Sequence, residues 1–133
     1  MPNSIDEYIQ SLLQEVAACP LVRSSDILID RRTLQSGLVR GELYFLDGSV
    51  LHFRELIDAQ EFIQRLMYSF HYQSEDGELI FRYDDTPHHE VLPGFPYHKH
   101  VEIESNAVSA EAPDLKTVLH EIQDLYPLGQ TSG

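Results

Sequence analysis

Two Asp-Gly dipeptides, Asp47-Gly48 and Asp76-Gly77, each stand between segments in which apolar and polar residues alternate. Alternation with a period of two sends successive side chains to opposite faces of a sheet, and the tightest hairpin turns need φ > 0, which Asp and Gly tolerate. Two antiparallel hairpins follow. The first joins Glu42-Leu-Tyr-Phe-Leu46 to Ser49-Val-Leu-His-Phe-Arg54, and a two-residue loop there sets Tyr44 opposite Leu51 and Arg40 opposite Glu55. The second joins Leu66–Tyr72 to Leu79–Asp84. On one side of it stand Tyr68, Phe70, Tyr72, Leu79, Phe81 and Tyr83, and on the other Ser69, His71, Arg82 and Asp84. Loops of two or four residues give the same parity, so either places His71 on the face of Arg82 and Asp84.

Around these hairpins the pattern predicts helices at both ends. Ser4 to Glu7 has the form of a capping box, and Ile5, Tyr8, Ile9, Leu12, Leu13 and Val16 follow at helical spacing, so a helix over residues 5–18 ends before Pro20. Pro113 is expected to open a second helix at its first position, with Leu115, Val118, Leu119, Ile122 and Leu125 on the apolar stripe, His120 off it, and Pro127 as the stop. Ile27–Arg32 and Leu38–Leu46 read as strands, Val101–Ile103 as a short last strand, and Asn106–Ala112 as a loop. Residues 57–65 fit a helical turn and a loop equally. The expected fold is α+β: an antiparallel sheet of about five strands, made of two hairpins and an extra strand and packed with the terminal helices. One domain over residues 1–128 and a disordered tail over 129–133 complete the expectation.

The stretch Leu79–His100, LIFRYDDTPHHEVLPGFPYHKH, holds four of the seven histidines. Loops are usually built from Gly, Asn, Asp and Ser, so imidazoles gathered around prolines point to chemistry. The candidate site residues are His71, Arg82, Asp84, His88, His89, His98, Lys99 and His100, with Ser69 on the same face. His52 reads as a structural or surface histidine. Three readings compete. His98-x-His100 with His88, and with His89 or Asp84, could hold a metal. A neutral and a protonated imidazole could instead cleave a phosphodiester, with Arg82 or Lys99 facing the charge on phosphate. In the third, the histidines and an Arg82–Asp84 ion pair only stiffen a loop. The first two differ in their response to chelation, and the expectation is catalysis without metal or other cofactor.

Composition bears on partners. The net charge of −13 disfavours extended contact with nucleic acid, yet residues 79–100 carry a net of only −1, which turns positive once two histidines protonate. No apolar run reaches the ~20 residues of a membrane span, no secretory signal is visible, and a lone Cys19 excludes an intrachain disulfide, so a cytoplasmic protein without membrane partner is expected.

The run Phe81-Arg82-Tyr83-Asp84, then Pro87-His88-His89, then Phe95-Pro96 with His98-Lys99-His100, resembles the core motif of the TumE-type toxins of toxin–antitoxin pairs. Tyr68-x-x-His71-Tyr72 and the closing segment Pro113–Ile122 are similar too, so the resemblance spans most of residues 40–125. Asp85 departs from the asparagine usual in that pattern. The resemblance implies a bacterial protein with a cognate antitoxin as partner. Joined to the residue chemistry, it gives the expectation of a toxin, an RNA-cleaving phosphodiesterase with RNA as a further partner and self-association as a homodimer. The alternative is a non-catalytic binding or regulatory module whose histidine loop is structural or metal-binding.

Overall fold

The computed structural model describes residues 4–85, 98–101, 107–109 and 113–126, with side chains described for 4–85 and 113–126. His88, His89, the proline-rich segment between the histidine pairs and the tail lie outside the described residues. Helix α1 runs Ile5–Ala18, as its periodicity predicts. The Ser4 hydroxyl accepts the Glu7 N–H at 3.2 Å and donates to the Glu7 carboxylate, so cap and third residue satisfy one another. Ile5, Ile9, Leu12 and Val16 form its buried stripe.

Strands β1 (Val22–Thr33), β2 (Ser36–Phe45), β3 (Val50–Asp58), β4 (Gln64–Gln73) and β5 (Leu79–Asp84) form an antiparallel meander, extended at one edge by the short β6 (His98–Val101) and β7 (Ala107–Ser109). The antiparallel α+β architecture is thus the expected one. Strand β7 falls in a segment expected to be loop, because three small or apolar residues offer no alternation to read. Residues 57–65 divide: β3 continues to Asp58, a turn follows, and β4 starts at Gln64.

The first hairpin differs from its expected register by one residue. The Phe45 N–H donates to the Ser49 carbonyl and the Gly48 N–H to the Phe45 carbonyl, each at 3.0 Å, which closes a three-residue loop of Leu46, Asp47 and Gly48. Gly48 has φ +87°, so this is the loop in which a turn is followed by one left-handed residue. The Asp47 carboxylate fixes it by accepting from Ser49 N–H at 2.9 Å and Ser49 Oγ at 2.5 Å. Tyr44 therefore lies opposite Val50, Leu43 opposite Leu51, and Arg40 opposite Arg54 rather than Glu55.

The second hairpin has the same loop: Ser74 N–H donates to Glu78 O at 2.8 Å, Gly77 N–H to Ser74 O at 2.9 Å, and Gly77 has φ +90°. Alone it would throw the following strand out of parity. Gln73 lies opposite Leu79, but Tyr72 lies opposite Phe81, so one extra residue at Ile80 restores the expected register. As a result Ile80 joins Phe81 against the core, in place of Leu79.

One face of the sheet is covered by the helices. Its rows run Ile27–Gly41–Phe53–Phe70–Tyr83 and Leu43–Leu51–Tyr72–Phe81, and Phe53, Phe70 and Tyr72 are fully buried. A carboxylate also sits on this face. Glu55 is buried, accepts the Tyr8 hydroxyl of α1 at 2.5 Å and pairs with Arg65 at 2.9 Å, while the Arg65 guanidinium lies 4.2 Å from the centre of the Tyr68 ring. Helix α2 (Leu115–Asp124) is capped by Asp114, whose carboxylate accepts the Thr117 N–H at 2.8 Å. Pro113 thus stands before the cap, not inside the helix. Leu115, Val118, Leu119 and Ile122 are buried and His120 is exposed, as the stripe predicts, whereas Leu125 lies past the helix end and is exposed. Tyr83 donates to Glu121 at 2.7 Å, tying α2 to β5. Among the described residues no helix is long and apolar enough to cross a membrane.

Candidate functional site

The other face carries the chemistry. Directly opposed residues form a row from β1 to β6: Asp26, Glu42, His52, His71, Arg82 and His100. The next row on this face is Leu28, Arg40, Arg54, Ser69, Asp84 and His98. Each strand contributes through alternation, since its intervening residues supply the core. Between the rows opens a cavity of about 600 Å³ lined by His52, His71, Arg82, Arg40, Arg54 and Glu42, among others.

His71 stands at the centre. Across β4–β5 it faces Arg82, and across β3–β4 it faces His52, with ring centroids 5.9 Å apart and planes at 67°. Burial first, then the Arg82 guanidinium and His52, hold its pKa below the ordinary 6.5, against an opposing hydrogen bond with Gln73. At neutral pH it is therefore a neutral imidazole, able to accept a proton. Arg82 Nε lies 2.9 Å from Asp84 Oδ2, and the Asp84 side chain is 1% exposed. That ion pair is the one the sequence suggested. The buried carboxylate thus sits beside the guanidinium that lines the cavity.

His52, which the sequence reads as a structural or surface histidine, lines the same cavity. Its Nδ1 lies 3.1 Å from Glu42 Oε2, and Tyr44 donates to Glu42 Oε1 at 2.9 Å. The missing signal was the loop size: with three residues in the Asp47-Gly48 loop, Glu42 and His52 become direct neighbours. The same shift sets Arg40 and Arg54 opposite each other, where like charges repel unless an anion joins them. Among the described residues no carboxylate lies within salt-bridge distance of either.

The remaining candidates are placed by backbone alone. His100 lies opposite Arg82, His98 opposite Asp84, and Lys99 opposite Tyr83. His88 and His89 lie outside the described residues. Among the described residues no three His, Cys, Asp or Glu are grouped as a metal ion would need.

Residues 9–126 match the family model described as Toxin TumE, a span from the first turns of α1 to Tyr126 just beyond α2. The chain belongs to the TumE toxin family. No curated protein and no solved structure matches it. In this TumE-family chain the match takes in α1 from Ile9 onward, both hairpins, α2 and the two polar rows.

Proposed function

We propose that the chain is the toxin of a toxin–antitoxin pair, restrained by a cognate antitoxin protein, and that it cleaves RNA by metal-independent acid–base chemistry on the polar face of its sheet. The observation that carries this reading is His71, held neutral beside Arg82 on a cavity that also presents Arg40 and Arg54. A neutral imidazole suits removal of a proton from a ribose 2′-hydroxyl, and guanidinium groups suit the charge that grows on the phosphate oxygens as that hydroxyl attacks. Asp84 serves by orienting Arg82. His98 and His100 flank the same rows by register, and with Lys99 they extend the proposed site along β6. The metal reading would place His88, His98 and His100 around a zinc ion instead.

Purified chain, freed from antitoxin, should cleave single-stranded RNA in the presence of EDTA, with a bell-shaped dependence on pH. His71→Ala and Arg82→Ala should abolish both cleavage and the growth arrest seen on induction, while His120→Ala on the exposed side of α2 keeps both. Activity lost to chelator and restored by Zn²⁺ would transfer the reading to a metal centre. Growth arrest that survives His71→Ala and Arg82→Ala would favour a binding module.

A further inference from the structure

We propose that His52 donates the proton to the leaving 5′-oxygen in that cleavage, and that Glu42 and Tyr44 act as positioning residues that hold it for the task. The inference rests on the ribonuclease reading and assigns the second half of its chemistry.

Glu42 Oε2 lies 3.1 Å from His52 Nδ1, and a carboxylate so close favours the ring form that carries its proton on Nδ1. Nε2 is then the ring atom left for exchange with a substrate. Glu42 is itself held, because Tyr44 donates to its other oxygen at 2.9 Å. Both carboxylate oxygens are thus engaged, which fits an orienting role better than direct contact with RNA. The His52 side chain is 42% exposed and lines the same cavity as His71. The charged and titratable groups around it are Asp26 on β1, Arg40 and Glu42 on β2, Arg54 on its own strand, His71 on β4 and Arg82 on β5. Among the described residues, Glu42 alone lies within salt-bridge distance of its ring. The two imidazoles differ in surroundings: His52 faces a carboxylate, and His71 faces a guanidinium. A ring held by a carboxylate is placed to donate a proton, and one beside a guanidinium to accept it.

The step balances without an oxidant or metal. Neutral His71 takes the 2′-hydroxyl proton, and the 2′-oxygen forms a bond to phosphorus. The bond from phosphorus to the 5′-oxygen breaks, its electron pair staying on that oxygen, which takes the Nε2 proton of the His52 imidazolium. The products are a 2′,3′-cyclic phosphate and a 5′-hydroxyl. The histidines have exchanged protonation states, and proton exchange with water restores them.

The test uses a dinucleotide RNA and its analogue with sulfur in place of the bridging 5′-oxygen, whose thiolate leaves without needing a proton. His52→Ala in the full chain should lose about 100-fold or more in kcat on the oxygen substrate and regain near-parent activity on the sulfur one. His71→Ala should stay impaired on both. Glu42→Gln should lower kcat on the oxygen substrate with KM held and largely spare the sulfur one, and Tyr44→Phe should do the same to a smaller extent. Equal impairment of His52→Ala on both substrates, or on neither, would overturn the assignment, as would equal losses of Glu42→Gln on the two substrates. If the unsubstituted chain cleaves neither substrate, the ribonuclease reading fails first and this inference with it.

Discussion

His71 lies directly across the β4–β5 ladder from Arg82, and the extra residue at Ile80 is what brings the two into register. A three-residue loop without the bulge would set His71 against a core position instead. The pairing joins an imidazole to a fixed positive charge on a half-buried surface, where burial is the larger influence on His71 and the guanidinium the second.

His71 should therefore titrate below 6.5 in the folded chain, and Arg82→Ala should raise its pKa without restoring it fully, because burial remains. The unfolded chain then binds more protons between the two values. The stability that His71 contributes is present above the unfolded-state value and is lost as pH falls through the folded one. A ring-proton NMR titration measures the first effect, and denaturation midpoints across that window measure the second. A His71 that titrates at or above 6.5, or that ignores Arg82→Ala, contradicts the account.

Glu55 anchors α1 to the sheet through Tyr8 and meets Arg65 in a buried ion pair. Glu55→Ala leaves a partly buried guanidinium and phenol without their acceptor, so a loss of about 3 kcal/mol is expected in urea denaturation. Replacing both charges with apolar residues, Glu55→Leu with Arg65→Met, should recover much of that loss. Burial first, then the Glu55 charge and its hydrogen bond, raise the Tyr8 pKa, so that shift should shrink but persist in Glu55→Ala. A loss under about 1 kcal/mol would mean the pair relaxes into solvent.

The two loop glycines separate backbone strain from crowding. At Gly77 a Cβ would meet nothing within 4 Å, so Gly77→Ala should cost only the left-handed backbone penalty, about 1 kcal/mol, and Gly77→Asn less. At Gly48 a Cβ would lie 2.6 Å from Glu75 Oε2, so Gly48→Ala should cost at least as much, and pairing it with Glu75→Ala should bring the two positions level. Equal costs without the Glu75 change would show that the carboxylate moves aside freely.

Much of this fold is legible in the chain, and the places where it is not have physical causes. The α1 boundaries and the face shared by His71, Arg82 and Asp84 follow from periods of 3.6 and two. The Asp47-Gly48 loop does not, because Asp-Gly suits a two-residue turn and also the last two places of a three-residue loop, and the Asp47 bonds to Ser49 that favour the latter are a local pattern the dipeptide alone does not announce. That single residue hides the Glu42–His52 contact and the opposed arginines. The bulge at Ile80 is invisible for a different reason: Leu79, Ile80 and Phe81 are all apolar, so no break in alternation marks it.

Arg40, Arg54 and Arg82 line the cavity of a chain whose net charge is −13, and on the proposed ribonuclease function this sets how RNA binding should respond to salt. An acidic body repels phosphates everywhere except where guanidinium groups gather, so RNA should touch the protein over few nucleotides. With three phosphates neutralised, the slope of log K against log salt for single-stranded RNA should be about −2. Arg54→Ala should reduce it to about −1.4 and weaken binding alike for different sequences, the signature of a backbone contact. Fluorescence anisotropy of a labelled oligonucleotide over a salt series, with the His71→Ala variant to prevent cleavage, reads both quantities. A slope near −5 would mean that RNA lies along basic residues far from this face, and a slope unmoved by Arg54→Ala would remove the opposed arginines from the site.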